Sequence, residues 1–174
     1  MNTIEPVVWV KEEIPAEKQK ELDNLLQRVF QGEDGGYTWA WDEKYTVTLS
    51  VDGKIVSSLG IFDRMAKVNG QPVRLGGIGG VATDPDHRRN GYAGQVLEKA
   101  AKWMTEKMRV DFGLLVCSTE RARYYAKFGW QVVEGPLWVD QPQGKVILKA
   151  VTMILPCKKT DWPDGEIDLC GLPW

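Results

Sequence analysis

The chain has 174 residues, 43% hydrophobic and 26% charged, with a net charge of -2. That suits one globular domain with a sizeable core and gives no general reason to bind nucleic acid. No apolar run is long enough to span a bilayer, and Met1 to Lys11 lacks the charged start and apolar run of a signal peptide. Cys117, Cys157 and Cys170 are too widely spaced for a zinc motif or an obvious disulfide framework. The expectation is a reduced, cytoplasmic protein with no metal and no membrane or nucleic-acid partner.

In chain order, Val7 to Val10 is a short β-rich run, and Pro15 fits the first turn of a helix. Leu22, Leu25, Leu26, Val29 and Phe30 give that helix one apolar face, and Gly32 ends it. Glu33, Asp34, Asp42 and Glu43 then stand among Tyr37, Trp39 and Trp41. This segment reads either as a surface loop or as an acidic, aromatic wall for a cationic substrate. Tyr45 to Val51 and Lys54 to Val68 read as strands joined by the hairpin turn Asp52-Gly53. Asn69-Gly70 is a second such turn, and Val73 onward continues the antiparallel meander.

Ile78 to Thr83 is a short apolar run with two glycines, suited to a buried strand. Asp84 to Asn90 opens with Asp-Pro and should be a turn. From Gly91 the apolar residues Val96, Leu97, Ala100, Met104 and Met108 recur at helical spacing. The first amides of such a helix lack intrahelical acceptors, and its dipole favours anions there. Gly91 and Gly94 leave room for a ligand, and Arg88 and Arg89 add charge that suits a phosphate.

Phe112 to Cys117 reads as an interior strand, parallel to the one ending at Thr83 because a helix lies between them. Ser118-Thr119-Glu120 can cap a helix over Arg121 to Phe128, which Gly129 stops. Trp130 to Val133 begins another strand, and Lys145 to Leu155 reads as the last one. Asp161-Trp162-Pro163-Asp164-Gly165 is a turn within a tail that ends at Trp174.

Arg88-x-x-Gly91-x-Ala93 after a strand resembles the Gln/Arg-x-x-Gly-x-Gly/Ala signature of the GCN5-related N-acetyltransferase (GNAT) family. Ala122 to Trp130 resembles that family's second landmark, Ala-x-x-x-Tyr-x-x-x-Gly-Phe with variation. Gly135-Pro136, the strand ending Leu155-Pro156 and the tail closing on Trp174 resemble aminoglycoside 2'-N-acetyltransferases. Trp162-Pro163-x-Gly165-x-Ile167 resembles the tail of NodA-type N-acyltransferases. A Rossmann reading of Gly76 to Gly80 fits less well, because Val81-Ala82-Thr83 continues as strand.

The resemblance implies an α/β fold: a mixed, mostly antiparallel central sheet flanked by helices. Its acetyl-coenzyme A cleft would lie where the strand ending at Thr83 and the strand Phe112 to Cys117 splay apart. Residues 1–174 would be one domain, with 156–174 as a tail near the substrate. The implied reaction is acetyl transfer to a small amine, an aminoglycoside or other amino sugar. Transfer of a longer acyl chain and a non-catalytic coenzyme A sensor are the alternatives, and the family's frequent dimers raise a homodimer. Residues Arg88, Arg89, Asn90, Gly91, Tyr92, Ala93 and Gly94 would hold the pyrophosphate. Amides of Val81, Ala82 and Thr83 would orient the thioester and polarise its carbonyl. Tyr125 would protonate the departing sulfur. Glu33 and the terminal carboxylate of Trp174 would meet the substrate. Gly79 occupies the place where the aminoglycoside enzymes carry a glutamate, so the base is open between Glu33, His87 and a water relay.

Overall fold

The computed structural model describes residues 4–32 and 34–174. Strands β1 (Val7–Val10), β2 (Tyr45–Val51), β3 (Lys54–Val68) and β4 (Gln71–Thr83) carry the β-branched runs seen in the sequence. Asp52 and Gly53 have φ of 49° and 79°, and Asn69 and Gly70 have 49° and 75°. Two left-handed central residues make each a type I′ hairpin, whose twist matches that of its strands. Helix α1 (Ala16–Val29) follows Pro15, and α2 (Tyr92–Trp103) runs on into a wider π turn over Met104–Met108. Next come β5 (Phe112–Cys117), α3 (Thr119–Ala126) and β6 (Gln131–Val133). The last strands are β7 (Leu137–Val139), β8 (Val146–Ile147), β9 (Val151–Pro156) and β10 (Ile167–Asp168).

The sheet is mixed and mostly antiparallel, in the order β6-β9-β5-β4-β3-β10-β7-β8, with β2 and then β1 added beside β3. The first half of β3 pairs with β2, and its end pairs with β10. Strand β5 runs parallel to β4, as a crossover through α2 requires. One sheet face packs Val47, Leu49, Leu59 and Ile61 against Val96, Leu97, Ala100 and Met104. The other packs Ile55 and Ala82 against Leu22 and Leu25 of α1. No described helix is long and apolar enough to cross a membrane, and Cys117, Cys157 and Cys170 are free thiols.

Two local expectations change. Lys145 to Leu155 is two strands, because Leu148 turns inward and its amide reaches the Leu137 carbonyl. Strand β8 therefore pairs with β7, and β9 with β5 and β6. Ser118 stands at the N-cap of α3, but its side chain makes no cap hydrogen bond. The short strands β7 and β10 have too few residues for a period to show in the sequence.

The tail is a built part of the sheet. Asn69 donates to the Asp164 carbonyl at 2.6 Å and accepts from the Glu166 amide at 3.2 Å. Strand β10 then lies between β3 and β7. Arg64 donates to the Leu172 carbonyl at 2.6 Å, and the Ala40 amide donates to that of Pro173 at 2.7 Å. The Trp174 indole stacks on Phe62 at 5.4 Å, under the Arg64 guanidinium at 4.8 Å. Its Nε1 donates to the Leu114 carbonyl at 3.1 Å.

A Cβ on Gly77 would overlap the Trp174 ring. Held between Phe62 and Arg64, that ring has no cheap way to give. Gly77→Ala should therefore cost about 1–3 kcal/mol and displace the tail. A thermal melt that falls by several degrees with a red-shifted tryptophan emission is the expected result; an unchanged melt would show that the ring moves freely.

Candidate active site

The site begins where two strands stop pairing. Strands β4 and β5 are in register only from Leu75–Gly77 to Phe112–Leu114. Beyond that they part, and β4 has an open edge from Ile78 to Thr83. The register of β3 with β4 also shifts between Ser58 and Gly60, so β4 carries an extra residue there. Gly80 takes up the bulge with φ of 60°, a conformation that side chains resist. The Asp84 amide donates to Val56 at 2.8 Å. Ser57 and Thr83, one position earlier, thus form a non-hydrogen-bonded pair. The Thr83 amide consequently faces the open edge.

The loop after β4 is braced from within and from α1. Asp84 accepts from the Asp86 amide at 2.9 Å, and Arg28 grips Asp84 at 2.6 Å and Asp86 at 2.8 Å. Asn90 donates to the carbonyls of His87 at 3.0 Å and Arg88 at 3.3 Å. Gly91 caps α2 with φ of 76°. Gln95 is the first residue whose amide closes a helical bond, to Gly91 at 3.2 Å. The amides of Tyr92, Ala93 and Gly94 are then the unsatisfied ones at the positive end of the helix. Arg88 and Arg89 are exposed, and neither has an ion-pair partner among the described residues. Unpaired amides at a helix N-terminus beside free cations are a chemistry that suits a diphosphate.

A cavity of about 550 Å³ runs through the splay to the α1 face of the sheet. At the splay it meets Val81, Leu115, Val116 and Tyr125; under α1 it meets Phe30, Asp34, Trp39, Trp41 and Glu43. Tyr125 is 8% exposed, and its ring packs edge-on against Tyr124 at 5.6 Å. Burial pushes its phenol up to about 12, so the group is protonated throughout the physiological range. Glu43 lies over Gly60, where an added Cβ would come 3.1 Å from its side chain. Lys11 holds one of its carboxylate oxygens.

The residues expected from sequence take different places. Val81, Gly79, Tyr125 and Trp174 line the cavity, while none of Arg88 to Gly94 is among its lining residues. Ala82 instead pairs with Ser58 and packs against α1, so it shapes the wall rather than offering an amide. Gly94 is a glycine mainly because a Cβ there would come 2.7 Å from Phe128. Gly79 leaves room for the tail: a Cβ would meet the Trp174 main-chain carbon at 3.0 Å and Phe62 at 3.1 Å. Glu33 lies outside the described residues. His87 stays in the loop, with Nδ1 3.5 Å from Asp84 Oδ1. Among the described residues no group of three or more His, Cys, Asp or Glu could hold a metal. Thr46, Ser58, Phe62 and Arg121 also line the cavity. Nothing in their local sequence marks them, because the splay that exposes them is tertiary.

The family model described as "Acetyltransferase (GNAT) domain" matches residues 12–133. No curated protein matches the chain in sequence. Among solved structures, a GNAT family N-acetyltransferase of Escherichia coli (YhbS), in complex with CoA, has 17% identity and a TM-score of 0.64. The match covers 97% of this chain and 92% of that one. Escherichia coli ElaA has 16% identity and a TM-score of 0.64, over 88% and 99% of the two chains. An acyl-CoA N-acyltransferase from Pseudomonas aeruginosa has 16% identity and a TM-score of 0.62, again over 88% and 99%. These structures share the fold. Acetyl-coenzyme A suits the residues present, because the α2 amides and free arginines meet a diphosphate and the splay admits a slender arm. With the family model covering most of its length, the chain belongs to the GNAT acetyltransferases and is an N-acetyltransferase that uses acetyl-coenzyme A.

Proposed function

We propose that the chain acetylates a small cationic amine bound between α1, the 34–43 segment and the sheet. The observation that carries this reading is the continuity of one cavity from Tyr125 at the splay to Asp34 and Glu43 under α1. Carboxylates attract an ammonium, and the faces of Trp39 and Trp41 suit a cation or a sugar ring. An amino sugar, including an aminoglycoside, is the acceptor class that the narrower resemblance implies, with Glu33 and Trp174 as further contacts. In this reading residues 1–174 act as one domain, and 156–174 close the acceptor pocket.

Acetyl-coenzyme A supplies a thioester carbonyl open to attack by a neutral amine. The Arg88–Gly94 loop anchors the diphosphate, and the main-chain amides of Val81 and Thr83 align the arm and polarise the carbonyl. Tyr125, protonated at neutral pH, donates to the departing sulfur. The apolar α1 wall, with Leu22, Leu26 and Phe30, favours one second reading, a longer acyl chain on the donor.

Thiol release from acetyl-coenzyme A with a panel of amines tests the reading. Turnover with amino sugars or polyamines is expected; tight coenzyme A binding with no release would leave a sensor instead. Donors of increasing acyl length check the second reading, which requires the longer ones to react faster. Replacing both Arg88 and Arg89 by Ala should weaken coenzyme A by about 10–100-fold in calorimetry, and more salt should shrink that difference. Tyr125→Phe should lower kcat by about 100-fold with an unchanged dissociation constant for acetyl-coenzyme A. With the phenol at about 12, ionisation of Tyr125 should cause no loss of rate below about pH 10.

A further inference from the structure

The cavity wall opposite the bulge carries three polar atoms that the fold leaves unpaired. Glu43 Oε2, Thr46 Oγ1 and Ser58 Oγ are all buried with no hydrogen-bond partner among the described residues. Thr46 is 2% exposed and Ser58 is 1% exposed. All three residues line the cavity. They are also neighbours. Thr46 pairs with Gly60 across β2 and β3, and Glu43 packs over Gly60. Ser58 is two residues along β3 on the same face, roughly 7 Å away. Gly60 in turn pairs with Gly79, beside the bulge where the carbonyl of the thioester would be held. Three unsatisfied atoms in one wall lower stability unless a ligand or water uses them.

Resting on the acetyltransferase reading above, we propose that Glu43 is the catalytic base: it binds the acceptor's ammonium and takes its proton, with Thr46 and Ser58 holding the water that relays it. Lys11 donates to Oε1, which leaves Oε2 for the amine side. The other charged or titratable groups of the residues that line the cavity are Asp34, Arg121, Tyr125 and the terminal carboxylate of Trp174, and Lys44 is turned away onto Asp63 at 3.0 Å. One ammonium proton passes through the water to Glu43 and on to solvent. The amine lone pair forms the C–N bond, the C–S bond breaks, and the sulfur takes up a proton from Tyr125. The proton lost by the new amide nitrogen restores the phenol.

The test is kcat/KM against pH for glucosamine and putrescine, with wild type, Glu43→Gln, Glu43→Asp and Thr46→Val/Ser58→Ala. Glu43→Gln keeps the shape and a partner for Lys11. It should lose at least about 100-fold in kcat/KM, with coenzyme A affinity and melting temperature unchanged. It should also lose the acidic limb of the profile, and Glu43→Asp should recover part of the rate and that limb. The Thr46→Val/Ser58→Ala pair should lose about 10-fold while keeping the limb, as positioning groups do. A Glu43→Gln rate within twofold of wild type, with the same limb, overturns the proposal. If wild type acetylates neither amine, the acceptor reading fails separately. Calorimetry with putrescine then decides Glu43: binding lost in Glu43→Gln supports its amine contact, and equal or absent binding in both proteins ends it.

Discussion

The site depends on the point at which β4 and β5 stop sharing hydrogen bonds. A parallel pair that opens in mid-sheet leaves carbonyls and amides without partners, and buried ones must be satisfied. Here the gap is filled from two sides. The Trp174 indole takes the Leu114 carbonyl, the last one on β5 that β4 accompanies. Past that contact the open edge is left to a ligand, and the bulge at Gly80 bends β4 away from its neighbour. The cleft is therefore a consequence of a strand-pairing defect held in place by a side chain from the tail.

The glycine run of β4 follows from what presses on it. Gly76 lies under Met104 of the π turn that ends α2, and Gly77 under the Trp174 ring. Gly79 lies under the Trp174 main chain and Phe62, and Gly80 turns the bulge. A larger residue at Gly77 or Gly79 would push the tail off the sheet. Space for the tail and the shape of the cleft are thus written into the same few residues, from opposite faces of one strand.

Charge is divided across this strand even though the chain as a whole is nearly neutral, at -2. Arg88 and Arg89 stand without partners on the loop that feeds α2, while Asp34 and Glu43 line the cavity under α1. In the proposed reading, an anionic donor and a cationic acceptor would approach from different sides and meet at the splay. Arg28 couples the two sides mechanically, since it extends from α1 to Asp84 and Asp86 of the loop that feeds α2.

The sequence by itself determined the parts whose signals are local. The type I′ hairpins at Asp52-Gly53 and Asn69-Gly70, the apolar faces of α1 and α2, and the Arg88-to-Gly94 loop all follow from backbone preference and short periodicity. The family followed too, because its signature is one contiguous loop. Only the tertiary structure decided that Ala82 faces α1, that Gly94 yields to Phe128, and that the Lys145–Leu155 run breaks at Leu148. It alone brought Glu43, Thr46 and Ser58 onto one wall and threaded Trp174 into the splay. Each of these rests on contacts between residues far apart in the chain, made by strand pairing and packing, and no local pattern of residues encodes such a meeting.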